Sequence, residues 1–400
     1  MAPIDLSDPR TFEEQTCYSL FDQARVQAPV SFCDSERGAH WSIVRYDDIV
    51  AVERDTETFS SSYELGGIRL QDQAIGSVIE TTPSFISTDP PRHRERRELV
   101  RPAFSLRNMA ALEAEIRERV IALLTALPRN EVFDWVAEVS CQLPIQMLST
   151  LFGVPQEDRA LLLQWSNVMT GFDDPDVVPD MDEARAQLKD FAAYVYAMRE
   201  DRLEKPPQGD LVSMLVHGPA ARSHKPIDYL SDMVLLTIGG NDTTRNSISS
   251  GLYELSRHPE QWEQLRVDRS LLRTGVSEML RWATPVIHVR RTATRDTVFR
   301  GQHIAKGDRV VVWYLSANRD EDVFTDPYAF RIDRRERRHL SFGTGVHFCV
   351  GAPLAEMQLR VLWEEILDRF PRIDIESEPV RLRSNFIHGI KSLRVRIPAD

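Results

Sequence analysis

The sequence is poor in cysteine, in long apolar runs and in surplus positive charge, and each shortage excludes something. Four cysteines in 400 residues, with no CxxC pair, leave no disulfide framework. Cys17, Cys33 and Cys141 read as isolated thiols and the chain as one kept in a reducing compartment. Unbroken apolar runs are short, Val310 to Leu315 being six residues and Phe191 to Met198 eight, far short of the roughly 20 that span a bilayer. The opening MAPIDLSDPR shows no basic segment followed by an apolar one. A soluble, cytoplasmic protein with no membrane contact is expected. Forty-nine basic against 61 acidic residues give a formal charge of −12, so a general nucleic-acid partner is not expected. Repeats, low-complexity tracts and Gly/Ser linkers are also missing, which favours a single domain over residues 1–400.

What is present is an ordinary globular composition, 42% hydrophobic and 28% charged. Helical periodicity dominates. Met109 to Leu127 repeats apolar residues at three and four, RHRERRELV follows Pro90 and Pro91, and SLLRTGVSEMLRWATP stops at Pro285. The longest helical candidate, Asp228 to Arg257, covers about 45 Å at 1.5 Å per residue and must cross the middle of the domain. Gly239 and Gly240 sit at its centre, where each costs about 1 kcal/mol relative to alanine. A bend or the close approach of a bulky group would account for them. HWSIVRY, RTATRDTVF and DRVVVWYLSANR read as strands, and PLAEMQLRVLWEEILDRF as an amphipathic helix. Residues 57–87 and 171–182 read as loops. The expected fold class is mainly α with a smaller β region.

The most informative stretch is SFGTGVHFCVG, residues 341–351. A phosphate loop would end in GK followed by Ser or Thr, whereas Val350, Gly351 and Ala352 stand there. Zinc would need further ligands at short spacing, and only His347 and Cys349 are close. A buried structural cysteine is the plain alternative. Against it, a thiolate at the start of a helix is stabilised by the dipole and free N–H groups. Glycines 343, 345 and 351 let the backbone approach a flat ligand, as a single axial sulfur bond to a haem iron requires.

The pattern Phe342-Gly343-x-Gly345-x-His347-x-Cys349-x-Gly351 resembles the haem-binding loop of the cytochrome P-450 family. The resemblance runs from about residue 5 to the C-terminus. Gly239-Gly240-Asn241-Asp242-Thr243-Thr244 is similar to the family's oxygen-activation motif, and Glu278 with Arg281 to its ExxR pair, with Arg334 as third member of that ion network. It implies haem b between the long central helix and the Cys349 loop and helix, with Cys349 as metal ligand. His93, Arg97, Arg291 and His347 would hold the propionates, with Arg290 a weaker substitute for Arg291, and Phe342, Gly343 and Gly240 would lie against the ring. Asp242 and Thr243 would relay protons during oxygen activation, although Thr243 could equally return its hydroxyl to a carbonyl one turn back.

The implied activity is insertion of one oxygen atom of O2 into a C–H bond, the other atom leaving as water. The implied partners are a ferredoxin and its NAD(P)H-dependent reductase, which deliver electrons to a monomer. Arg101, Arg107, Arg338 and Arg360 are candidates for the docking patch. Pocket walls are expected at Phe85, Ile86, Met169, Phe172, Ile238, Gly239, Val286, Ile287, Val289, Phe386 and Ile387, a mostly apolar set. The nearest resemblance is to hydroxylases of alkanes, fatty acids and sterol side chains. Glu64, Arg69, His288 and His388 would instead suit a terpenoid, aromatic or peptidic substrate. A haem-thiolate sensor without turnover, and an isomerase or peroxygenase, are readings from other classes.

Overall fold

The computed structural model describes residues 4–71, 83–219, 221, 224–336 and 338–399; residues 72–82 of the expected long loop lie outside them. The central helix runs Pro226–Ser256, two residues earlier at its start than expected. Pro226 opens it, and the Lys225 N–H donates to the Asp228 carboxylate at 3.1 Å, satisfying a group that the helix itself leaves free. It is buried on nearly every side because Gln142–Phe152, Arg159–Thr170, Leu272–Ala283 and Ala352–Arg369 all pack around it. A helix polar at its centre but buried all round needs its polar groups paired or facing a cavity. Both occur here.

The expected helix at Met109 spans Leu106–Thr125 and packs on Ala352–Arg369. RHRERRELV forms Arg92–Val100. The β region includes a five-stranded mixed sheet in the order Val30–Cys33, His40–Ile43, Arg309–Trp313, His288–Ala293, Phe59–Ser60. DRVVVWYLSANR is strand only to Trp313, and a helical turn, Tyr314–Ala317, follows. Arg291 pairs with Val310 and Val289 with Val312. Successive residues of a strand face opposite sides, so Val289 and Arg291 share one face while His288 and Arg290 share the other.

Among the described residues no helix is long and apolar enough to cross a membrane, and no group of three or more His, Cys, Asp or Glu could hold a metal ion. The zinc reading of His347 and Cys349 therefore finds no further ligands there.

Candidate active site

The loop before the helix Ala352–Arg369 is shaped by two glycines in the left-handed region, Gly343 (φ +64°) and Gly345 (φ +67°). A Cβ on Gly345 would stand 2.8 Å from the Glu53 carbonyl oxygen, so the loop lies directly on the helix Tyr46–Arg54. The Cys349 N–H donates to the Phe342 carbonyl at 3.0 Å, closing the loop. Cys349 is half-buried and faces a cavity of about 230 Å³. Burial pushes its thiol up from the ordinary value, while the N–H groups of Gly351 and Ala352 and the Arg97 charge pull the other way. The N–H groups at the helix start oppose burial without overcoming it, so the net shift of the thiol is upward.

The central helix forms the opposite wall of this cavity. Ile238, Gly239, Gly240, Thr243 and Thr244 line it. A Cβ on Gly239 would meet no atom within 4 Å, and one on Gly240 would meet Leu148 at 2.9 Å. Gly239 therefore leaves room for a ligand, and Gly240 for a neighbouring side chain. The helix continues unbroken through both, so close approach rather than a break is the reason for the pair.

Thr243 lines the cavity, and its hydroxyl donates to the Gly239 carbonyl at 2.7 Å. Asp242 does not line it. Its buried carboxylate accepts from Arg245, Ser166 and, at 3.3 Å, Thr170, all on the side away from the cavity. Of the two residues expected to relay protons, only Thr243 faces the cavity. Consecutive helical residues are about 100° apart, and the Arg245 pairing fixes which of the two points outward.

Around the rim stand four nitrogen-bearing side chains. The His93 and His347 rings are 4.2 Å apart between centroids, and His347 Nε2 lies 2.8 Å from the Ser61 hydroxyl. His93 Nε2 and His347 Nδ1 are buried without a hydrogen-bond partner. Burial holds the His93 ring down to about 4 and His347 well below its ordinary value. Arg97 donates to the Phe348 carbonyl. Arg291 faces the cavity as well, donating to Glu53 Oε1 at 2.6 Å. Glu53 also accepts from the Thr344 N–H at 3.0 Å and from the Tyr314 hydroxyl. Arg290 points away and donates to the Leu65 carbonyl at 2.9 Å. Nothing in the sequence singled out Glu53 or Tyr314, because a carboxylate and a phenol more than 200 positions apart form no pattern.

These residues fit haem. The Cys349 sulfur borders the cavity, Gly239 leaves space in its wall, and basic residues, two of them with unpartnered nitrogens, line it where two carboxylates would need partners. Cys349 could bind the iron, and His93, Arg97, Arg291 and His347 the propionates.

The description "Cytochrome P450" belongs to the family model that matches residues 74–387. The chain is a cytochrome P450. It is 38% identical over 401 residues to a linalool 8-monooxygenase of Pseudomonas putida, covering 98% of each. It is also 38% identical to a methyl-branched lipid omega-hydroxylase of Mycobacterium tuberculosis, over 94% of this chain and 90% of that one. Among solved structures, cytochrome P450-153 from Novosphingobium aromaticivorans is similar with a TM-score of 0.91 and 40% identity, covering 99% of both chains. The P450 is therefore mainly α with small sheets, a haem-thiolate monooxygenase acting on a hydrophobic substrate, with haem b as cofactor, O2 as co-substrate and NAD(P)H-derived electrons arriving through redox partners.

Remote from the ring, Glu278 and Arg281 form a bidentate pair at 2.7 and 2.8 Å. Arg334 completes it at 3.1 Å from Glu278. All three are buried. Burial alone would raise the Glu278 carboxyl, but Arg281 and Arg334 hold it below its ordinary value.

Of the expected pocket residues, Phe85, Ile86, Ile238, Gly239, Val286, Val289, Phe386 and Ile387 line the cavity. Met169 and Ile287 do not; both are core residues, 2% and 0% exposed. Neighbours in extended chain point opposite ways, so Ile287 cannot join Val286. Phe172 lines a separate small chamber. Glu64 is exposed, and His388 is held by the Ala283 carbonyl at 2.7 Å. Leu148, Leu236, Thr244 and Ser247 were not anticipated as lining.

Proposed function

We propose that this P450 hydroxylates the apolar end of a lipid-like or terpenoid substrate, with electrons supplied by a ferredoxin and its reductase in the cytoplasm, and that the domain spans residues 1–400 as a monomer. The mostly apolar cleft lining carries the reading: Phe85, Ile238, Val286, Val289 and Ile387 line the same cavity as Cys349. The similar proteins act, by name, on linalool and on methyl-branched lipids. Haem, when bound, supplies the oxidising chemistry, and thiolate ligation favours O–O cleavage.

The remaining work belongs to side chains of this chain. Cys349 would provide the ligand, and Phe342 and Gly343 would lie against the ring, with Gly240 in the same wall but packed toward Leu148. Arg97 and Arg291 would neutralise the propionates while the neutral His93 and His347 rings would hydrogen-bond and orient them, and the unpartnered His93 and His347 nitrogens support this assignment. Thr243 holds a proton at its hydroxyl beside the reacting atoms, and the apolar walls exclude bulk water. Asp242 reaches that hydroxyl only by leaving Arg245 or through a water, and its part in the relay runs by one of those two routes. Glu278, Arg281 and Arg334 maintain the fold around the loop. Arg338 stacks on Phe348 at 4.3 Å, next to the Cys349 loop, and with Arg107 offers cationic groups to an acidic ferredoxin, whereas Arg101 pairs with Glu98 at 2.8 Å. Arg360 is committed to Glu113 and Glu364.

The test is the spectrum of the ferrous carbon monoxide complex. Wild type is expected to show the strongly red-shifted Soret band of thiolate ligation, and Cys349→Ser to lose it completely. A retained band would mean that another residue binds the iron. Substrate-dependent NADH oxidation, with product formed, separates an oxygenase from a sensor.

A further inference from the structure

Glu53 is a carboxylate in an unfavourable place. It is the second-last residue of the helix Tyr46–Arg54, the end at which aligned peptide dipoles disfavour negative charge, and it is only 2% exposed. Burial raises its carboxyl above the ordinary value. Both oxygens are nonetheless held as acceptors. Oε1 accepts from Arg291 at 2.6 Å, Oε2 accepts from the Thr344 N–H at 3.0 Å, and the Tyr314 hydroxyl donates as well. Three donors on two oxygens favour the ionised form. The Cys349 loop closes over this cluster: a Cβ on Gly343 would stand 3.2 Å from the Tyr314 hydroxyl oxygen and 3.5 Å from Glu53 Oε2.

Arg291, Tyr314 and Gly343 line the cleft, and Glu53 stands directly behind them. Of the side chains that line the cleft, Arg97 and Arg291 carry permanent positive charge. Two guanidiniums thus meet the two propionates of a bound haem. Glu53 is a third carboxylate, and it draws on the second of those guanidiniums. Arg291 also donates to the Arg290 carbonyl at 2.9 Å, and its five N–H groups suffice for Glu53 and a propionate together. The cation is shared, and the charges sum to one surplus negative in a buried, weakly screened place.

Resting on the haem assignment above, we propose that Glu53 is a positioning residue that fixes Arg291 and whose surplus charge lowers the haem reduction potential. One electron from the external donor turns ferric iron ferrous, with no bond made or broken, and leaves the site one charge more negative. A fixed anion behind Arg291 opposes that step. Glu53 is therefore a brake on the first electron, holding the iron ferric against all but strongly reducing donors.

The experiment is an anaerobic redox titration of the haem-loaded protein at pH 7, followed by its visible spectrum. Glu53→Gln should shift the equilibrium toward the ferrous form by about 10-fold, the scale of one unit charge across roughly 12 Å at an effective dielectric of about 20. For a one-electron couple that is about 59 mV upward. Glu53→Met removes the same charge and brings no polar group, so it decides the matter if the glutamine variant does not hold haem. Glu53→Asp keeps the charge and should stay within about 2-fold of wild type even where its Tm falls. A purely structural role would lower Tm and leave the potential in place. Gln and Met variants within about 2-fold of wild type, or an Asp variant that moves as far as they do, would each overturn the proposal. The carbon monoxide band of the same samples tests the haem assignment separately. Its absence from wild type would remove that assignment and the proposal with it, whereas a normal band with an unmoved potential would remove only the role of Glu53.

Discussion

The two polar regions of this P450 are built on opposite rules. In the Glu278–Arg281–Arg334 network every charge is matched: Arg281 donates to Glu278, to the Asn318 carbonyl at 2.6 Å and to the Pro327 carbonyl at 3.0 Å, while Arg334 donates to Glu278 and to the Thr325 carbonyl at 2.7 Å. Around the cleft, by contrast, His93 Nε2 and His347 Nδ1 are buried and unmatched. A closed network stabilises only the fold that forms it. An open acceptor or donor costs free energy until a ligand arrives, so the contrast separates residues that serve folding from residues that await haem or substrate.

The closed network should break hardest. Arg281→Met leaves Glu278 buried with only Arg334, and removing one partner of a buried ion pair typically costs about 3–5 kcal/mol. Urea unfolding at pH 7 should show a loss of that size, and the variant should be recovered with little haem. A loss under about 1 kcal/mol would mean that the network is a spectator. Thr243→Ala tests the other side. It should leave stability and the carbon monoxide band unchanged but cut product per NADH about 10²-fold, the lower end of proton-transfer contributions, with peroxide released instead. Unchanged coupling would take Thr243 off the proton route.

How far these roles were legible depended on what kind of pattern carried them. The long helix, the Cys349 loop and the Glu278–Arg281 spacing are local, and the structure places each within about two residues of expectation. Facing is harder. Asp242 and Thr243 read as a unit, yet the buried Arg245, three residues on, turns Asp242 from the cavity. Met169 and Ile287 look like pocket residues by composition, and only the alternation of the chain and the packing around them place both in the core. The partners of Arg291 and His288 lie far away in sequence, at Glu53 and Asn385, where no spacing rule reaches.

Acid should separate buried histidines from the closed network by pH window. His288 and His339 are held neutral down to about 3 by burial, below the ordinary 6.5. The unfolded chain therefore takes up protons first as pH falls. Their stabilisation is complete above pH 6.5 and is lost progressively toward pH 3, by about 2 kcal/mol each at pH 5. Glu278, held below its ordinary 4.5, loses its contribution only under pH 4.5. The urea midpoint should therefore decline between pH 6.5 and 5 in wild type, and His339→Gln should flatten part of that decline. A midpoint constant to pH 5 would mean that the rings take up protons in the folded state.

The smallest effect sharpens the contrast at a single turn. Gly239→Ala and Gly240→Ala make the same change in one helix, and helix propensity alone would stabilise each by up to about 1 kcal/mol. Gly239 faces open space, so its alanine should keep that gain in the haem-free protein and raise its Tm. The same methyl would project where haem and substrate are to sit, so haem affinity and ligand-induced spectral shifts should weaken. At Gly240 the new methyl meets Leu148 at 2.9 Å, and moving Leu148 should cancel the gain, leaving Tm close to wild type. If both variants gained stability equally, Leu148 would yield freely and the packing reason for the second glycine would fail; if neither weakened haem binding, the ring would not lie against this turn.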